Sequence, residues 1–219
     1  MTRILIADDH PLFRLALVQA VGNLGDDIEI IEADALDSAR EALNKRGDID
    51  LVLLDLHMPG SHGLMGLVSL RTEFPSVAVV MISANDDPIV MRRAVTYGAA
   101  GFIPKRSGID EIQSLLRAVI ACENPPPLPR HDRHDAEVVQ DRELAARLAS
   151  LSPQQLRVLS LVAEGLLNKQ IADRLDIQER TVKAHMSAVF ERLGVSNRTQ
   201  ASVLLRSLEI ADPSRTVAD

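Results

Sequence analysis

At 219 residues the chain is long enough for two modest domains, each able to bury its own core. Aromatic residues make up only 2%, so Leu, Ile, Val, Ala and Met must build those cores, and the scarcity of rings for stacking unpaired bases argues against single-stranded nucleic acid as a ligand. The net charge of −7 is uneven: residues 1–120 hold 11 Lys and Arg against 17 Asp and Glu, whereas 152–212 hold 8 against 7, so the acidity of the first part does not exclude DNA binding by the second.

The apolar start of the chain is broken by Asp8-Asp9, which argues against a signal peptide, and no run approaches the roughly 18 apolar residues of a membrane span. A cytoplasmic protein with no membrane partner is expected. Cys122, the one cysteine, has neither a disulfide partner nor metal-ligand neighbours, and reads as a buried or incidental thiol.

From residue 1 to about 121, short apolar runs alternate with stretches of helical period. Strands are expected near 2–7, 28–33, 50–55, 77–82 and 101–104, and helices near 11–21, 36–45, 63–72, 87–97 and 108–121. This alternation predicts an α/β unit of the (βα)5 kind, its parallel sheet covered on both faces. The run Glu123-Asn124-Pro125-Pro126-Pro127-Leu128-Pro129 cannot continue a helix and favours extended geometry, making 122–150 a linker. Within it, Leu144, Leu148 and Leu151 at helical spacing predict a connecting helix over 135–149.

Residues 151–212 read as a small all-α domain with helices from Pro153 to Ala163, Asn168 to Leu175, Glu179 to Leu193 and Arg198 to Leu208. Ser152-Pro153 suits a cap followed by proline at the first helical position, and Gly165 and Gly194 sit where helices should stop. Residues 213–219 form a polar tail.

Polar residues recur at the ends of the expected strands. Asp8 and Asp9 follow Ile4-Leu5-Ile6, Asp55 follows Leu51-Val52-Leu53-Leu54, Ser83 follows the run 77–82, and Lys105 follows Gly101-Phe102-Ile103-Pro104. In a parallel sheet these run ends lie side by side. Taken singly, each aspartate is an ordinary turn residue and Lys105 a surface charge, so the joint pattern carries the inference. Three ionised carboxylates held together need a cation, and Mg²⁺ suits their oxygens. Asp55, at the end of the central run, is then the natural nucleophile for a phosphoryl group, with the lysine neutralising oxygens and the hydroxyl bonding to the product. His10, His57 and His62 lie nearby in sequence, but Mg²⁺ prefers oxygen and nothing in the spacing brings the imidazoles together. His131 and His134 lack further ligands, and Tyr97 reads as packing or partner surface.

On Ile6-Ala7-Asp8-Asp9-His10-Pro11, Asp55-Leu56-His57-Met58-Pro59-Gly60, Met81-Ile82-Ser83-Ala84 and Gly98-Ala99-Ala100-Gly101-Phe102-Ile103-Pro104-Lys105, residues 1–121 resemble a response-regulator receiver domain of flavodoxin-like fold. The resemblance implies that Asp55 is the phosphoacceptor, that Asp9, Asp55 and the His57 carbonyl hold Mg²⁺ directly with Asp8 acting through water, and that Ser83 and Phe102 are the switch hydroxyl and switch ring. Phe102 lacks the hydroxyl of the common tyrosine, and Arg106 stands where many receivers have proline.

Asn168 to Ile177 followed by Thr181-Val182-Lys183-Ala184-His185 reads as a helix-turn-helix. Val182, Met186, Val189, Phe190 and Leu193 form one apolar stripe, and Lys183, Ala184, Ser187 and Ala188 face away from it, small enough for close approach to a major groove. Composition alone leaves a helical interaction module equally open. Leu151-Ser152-Pro153, Asn168-Lys169-Gln170-Ile171-Ala172, Thr181-Val182-Lys183-Ala184-His185 and the run from Leu193 to Ala201 are similar to a LuxR-type DNA-binding domain, which implies double-stranded DNA as partner and Asn168, Lys169, Thr181, Lys183, Ala184, His185, Ser187 and Ala188 as contacts. Leu167 and Gln178 replace the capping Ser or Thr frequent in that family, although Asn168 could cap the first helix itself. With Glu179 and Glu191 also present, intrinsic affinity is expected to be modest and binding to depend on a homodimer, through the receiver, the last helix (Ala201, Leu204, Leu205, Leu208), or both.

The two resemblances together imply a two-component response regulator of the NarL/FixJ class: a transcription factor phosphorylated by a sensor histidine kinase, and no enzyme beyond its own phosphoryl transfer and dephosphorylation. A phosphate sink and a phosphorylation-independent interaction protein stay open as alternatives.

Overall fold

The computed structural model describes residues 1–123 and 135–210, which fall into two compact units. In the first, strands and helices alternate: β1 (Thr2–Ala7), α1 (Pro11–Gly22), β2 (Ile28–Ala33), α2 (Leu36–Arg46), β3 (Leu51–Asp55), α3 (Leu64–Glu73), β4 (Ala78–Ser83), α4 (Pro88–Thr96), β5 (Gly101–Pro104) and α5 (Ile109–Ile120). All strand pairs are parallel, in the order β2-β1-β3-β4-β5. Every residue of β3 is buried, which is why its sequence is an unbroken apolar run closed by Asp55. The chain winds outward in opposite senses from the neighbouring β1 and β3, and such a reversal opens a crevice beyond the carboxyl ends of the strands.

One face of the sheet is closed by α1 and α5, whose Leu17, Ala20, Val21, Ile112 and Leu116 pack with Ile4, Ile6, Leu53 and Ile82. At the carboxyl end of β3 the chain turns sharply. Ser61 Oγ donates to Leu56 O at 2.6 Å, Gly66 N–H donates to Ser61 O at 2.6 Å, and Leu36 N–H donates to Pro59 O at 3.0 Å. A Cβ at position 66 would stand 3.0 Å from Ser61 O and 3.1 Å from Ser61 Cα, both backbone atoms that cannot swing aside. Gly66→Ala is therefore expected to lower the thermal midpoint by several degrees, an overpacking cost of about 1–3 kcal/mol, with calorimetry as the check and an unchanged midpoint as the contrary result.

The second unit comprises α6 (Asp135–Ala149), α7 (Pro153–Ala163), α8 (Asn168–Leu175), α9 (Glu179–Leu193) and α10 (Arg198–Arg206). Its core joins Val158 and Val162 of α7 to Ile171 of α8 and Val182 and Met186 of α9. Ser152 Oγ accepts from Gln155 N–H at 3.3 Å while Gln155 Oε1 accepts from Ser152 N–H at 2.9 Å, a reciprocal cap that starts α7. Asp176 turns the chain between α8 and α9 with φ of 52°, and Gly194 ends α9 with φ of 70°. Two arginines fasten α6 to that end: Arg147 Nη1 donates to Leu193 O at 3.2 Å, and Arg192 donates to Ser150 O and, at 3.1 Å, to Gln155 Oε1.

The expected elements are all present with ends shifted by at most two residues. The proline run from Pro125 to Pro129, His131, His134 and the 213–219 tail lie outside the described residues. Three expectations change. Asn168 does not cap α8; Leu167 provides no side-chain cap, and its N–H is met instead by Gln170 Oε1 at 2.8 Å. Cys122, read as buried or incidental, is exposed, which leaves the second of those readings. Ala201, Leu205 and Leu208, expected at a dimer contact, are at most 2% exposed, because α10 turns that stripe inward toward α7 and α9. Leu204 is half-buried, and the apolar residue that α10 presents outward is Val203. No helix among the described residues is long and apolar enough to cross a membrane.

Candidate functional site

The strand order brings the strand-end residues together. Asp8 and Asp9 follow β1, Asp55 ends the adjacent β3, Ser83 ends β4 and Lys105 follows β5. Asp8 is fully buried, and the Asp55 and Lys105 side chains are 1% and 15% exposed. Lys105 Nζ lies 2.8 Å from Asp8 Oδ2 and 3.0 Å from Asp55 Oδ2, and its ammonium also sits 5.0 Å from the centroid of the Phe13 ring. Lys105 is thus a pocket residue and not a surface charge.

Backbone groups and neighbours orient these side chains. His10 N–H donates to Asp8 Oδ1 at 2.7 Å, while Arg14 Nη1 donates to Asp8 O at 2.6 Å and Arg14 Nε pairs with Glu32 at 2.9 Å. Ser83 Oγ accepts from Asn85 N–H at 3.0 Å, and Lys105 N–H donates to Ser83 O at 2.7 Å, so the hydroxyl and the lysine are tied to one another through the chain. Phe102 is buried on β5, where it pairs with Met81 of β4.

One ammonium does not balance three carboxylates. Burial pushes the Asp55 carboxyl above its ordinary value; the Lys105 charge opposes that rise, Asp8 adds to it, and hydrogen bonding from Lys105 and the His57 backbone N–H opposes it again. Asp55 Oδ1 is nonetheless buried without a hydrogen bond of good geometry, as are Asp8 Oδ2, which lies against the Lys105 ammonium, and Asp9 Oδ1, which lies against His10 Nδ1. Buried carboxylate oxygens converging on one point are the donor set of a hard divalent cation, and these residues fit one.

The sequence reading set His10 aside together with His57 and His62, but the structure brings His10 to the cluster. Its Nδ1 is 2.9 Å from Asp9 Oδ1, and it joins Asp8, Asp9 and Asp55 in a cluster whose ligand atoms lie within 4.8 Å of one another; His57 and His62 do not join it. Proximity to Asp8-Asp9 in sequence was the available signal, but the direction of the ring is set by the turn into α1.

In the second unit, α9 buries Val182, Met186, Val189 and Leu193, with Phe190 half-buried against the same core, and exposes Lys183, Ala184 and Ser187. Lys183 Nζ pairs with Glu179 Oε1 at 2.9 Å, one helical turn back. Thr181, His185 and Ala188 are half-buried, and Lys169 is exposed at the start of α8. Asn168 Oδ1 accepts from Arg198 Nη1 at 3.5 Å, and Arg198 also donates to Leu166 O, so Asn168 helps tie α8 to α10. The outward surface of α9 is small and polar, with the exposed cations Arg180 and Lys183 one helical turn apart on it, a shape suited to a DNA groove.

Residues 4–117 match the response regulator receiver domain family, and residues 149–205 match the bacterial regulatory proteins of the luxR family. The chain is 43% identical over 208 residues to the glycerol metabolism activator of Pseudomonas putida, covering 92% of this chain and 93% of that one. It is 31% identical over 215 residues to the nitrate/nitrite response regulator protein NarL of Escherichia coli K12, with 91% and 93% covered. In fold it is similar to RcsB from Salmonella enterica serovar Typhimurium, solved bound to promoter rprA with the phosphomimetic BeF3-: 22% identity, a TM-score of 0.54, and 95% and 100% of the two chains covered.

Proposed function

Because the chain belongs to the two-component response regulators of the NarL/FixJ class, a receiver domain joined to a LuxR-type helix-turn-helix domain, we propose that phosphorylation of Asp55 by a sensor histidine kinase controls its occupancy of double-stranded DNA. The observation that carries this reading is the buried Asp55 carboxylate, bound on one oxygen by Lys105 and left without a good hydrogen bond on the other. In the proposed reaction an Asp55 oxygen forms the bond to phosphorus while the bond to the donor breaks, and the departing donor group takes up a proton. Lys105 neutralises charge on the transferred oxygens, and the Ser83 hydroxyl is positioned to donate to one of them. Asp8, Asp9, Asp55 and the His57 carbonyl are the residues that would hold Mg²⁺, whose role when bound is to neutralise the crowded carboxylates and the phosphoryl group.

Movement of Ser83 toward the phosphoryl group would vacate space for the buried Phe102 to follow, changing the surface of α4, β5 and α5. On the DNA side, Lys183, Ala184 and Ser187 are the outward groups of α9, with Lys169, Thr181, His185 and Ala188 flanking them. A cytoplasmic homodimer is part of the proposal, as is the absence of any enzyme activity beyond the chain's own phosphoryl chemistry. The name of the Pseudomonas putida relative supports reading the output as activation.

The test is to treat the full chain with Mg²⁺ and a small phosphodonor and to measure both acyl-phosphate formation and affinity for genomic fragments captured by the protein. Label on Asp55 with tighter DNA binding is expected. Label without any change in DNA binding would favour a phosphate sink, and DNA binding in the absence of any label would favour a phosphorylation-independent protein.

A further inference from the structure

Arg180 is a cation of α9 that the fold leaves free. It is the second residue of the helix, it is exposed, and among the described residues its guanidinium has neither an ion pair nor a hydrogen bond. Its neighbour in charge, Lys183, is held by Glu179 at 2.9 Å. At about 100° per residue, Ser187 stands within about 20° of Arg180 around the helix, with Ala184 about 40° to one side and Lys183 about 60° to the other. Val189, on the far side at about 180°, is fully buried. Arg180 and Ser187 therefore mark the midline of the outward face, and the Glu179–Lys183 pair forms its flank.

A free outward guanidinium suits either a phosphate oxygen or a base edge, and its position decides between them. The reading helix of a helix-turn-helix meets base edges with its N-terminal residues, and a helix lying in the major groove turns its midline to the floor and its flanks to the phosphates. The other residues near this midline, Ala184 and Ser187, are small and exposed, so the helix can seat deeply and the long arginine reaches the floor. We infer that Arg180 is a specificity-determining residue that reads a guanine through O6 and N7, and that each half-site of the preferred DNA carries a G·C pair beneath it. This rests on the DNA-binding reading proposed above and adds part of the sequence that is read.

The donor geometry selects the base. A guanidinium offers two parallel N–H groups, and guanine presents two acceptors side by side in the major groove. Adenine presents its N6 amino group where guanine has O6, which would set one N–H of Arg180 against another donor. Arg180 has no ion pair to give up first, whereas Lys183 must leave Glu179.

The full chain, treated with Mg²⁺ and a small phosphodonor, is given random duplexes to select its preferred site. Each guanine of a half-site is then replaced in turn by 7-deazaguanine, which still pairs with cytosine but lacks N7. Replacement of one particular guanine is expected to weaken the wild type about five-fold or more. Arg180→Ala should bind the unmodified site about ten- to a hundred-fold more weakly, be indifferent to that same replacement, and keep its preference at the other positions. Unchanged circular dichroism and phosphate uptake at Asp55 confirm that the variant is folded. A loss in Arg180→Ala that is uniform across sequences, with the log–log salt slope lowered by about one and the 7-deazaguanine effect retained, makes Arg180 a phosphate contact; it overturns the guanine reading and leaves DNA binding standing. Wild-type affinity and preference in Arg180→Ala overturn it equally. A wild type that binds no duplex removes the DNA-binding proposal and the inference together.

Discussion

Asp55→Asn is expected to abolish acyl-phosphate formation while making the metal-free protein more stable. The two effects have one origin. Burial and the neighbouring Asp8 raise the Asp55 carboxyl above its ordinary 3.8 despite Lys105, so the folded chain holds an ionised group in a place that disfavours ionisation. A group raised on folding stabilises the native state fully below its unfolded value and loses that contribution as pH climbs through its folded value. The stability gap between Asp55→Asn and wild type should therefore be absent in acid, open as pH rises above about 3.8, and be fully developed once pH has passed the raised folded value. Added divalent metal should raise the wild-type midpoint more than that of the variant. Thermal denaturation at several pH values, with and without metal, checks this; a variant no more stable than wild type at pH 7 would contradict the assignment of Asp55 as a strained charge. A variant that still gained DNA affinity when incubated with phosphorylated kinase would sink the switch itself.

Lys183→Ala is expected to lower DNA affinity about ten- to a hundred-fold, or 1–3 kcal/mol, with phosphate uptake at Asp55 unchanged. In the free protein Lys183 is paired with Glu179 at 2.9 Å, but both side chains are largely exposed, and such a pair one helical turn apart contributes only about 0.3–0.5 kcal/mol. DNA can therefore take the ammonium from Glu179 at little cost. Salt dependence separates two kinds of contact: a phosphate contact reduces the log–log salt slope by about one and weakens all sequences alike, whereas a base contact relaxes preference at one position. Unaltered affinity at every salt concentration would remove Lys183 from the interface.

Most of the fold was legible because its elements obey local rules. The unbroken run Leu51 to Leu54 is what a central parallel strand requires, and Ser152-Pro153 with Gln155 is a complete helix start written in sequence. The strand-end aspartates, Ser83 and Lys105 were legible for the same reason, since a parallel sheet has only one edge at which all of its strands finish. His10 was not legible: whether an imidazole one residue past Asp9 turns into the crevice or away depends on a pair of backbone angles that no periodicity encodes. The stripe of Ala201, Leu205 and Leu208 failed differently. Spacing says that one face of a helix is apolar, but the same spacing serves a helix that packs on its own domain and one that packs on a copy. The cap suggested for Asn168 failed because α8 begins at Asn168 itself, which leaves Leu167 in the cap position, and Arg198 engages the Asn168 side chain.

The fastening of α6 to α9 by Arg147 and Arg192 has a mechanical consequence. A helix of 15 residues is a stiff rod of about 22 Å, and this one is clamped at its Ala149 end to the carboxyl terminus of the helix that presents Lys183. Torque applied at the Asp135 end is consequently delivered to α9 and not dissipated in the joint. Within the second unit, α6 and α9 therefore turn together as one rigid piece, with the Asp135 end at one extremity and Lys183 at the other.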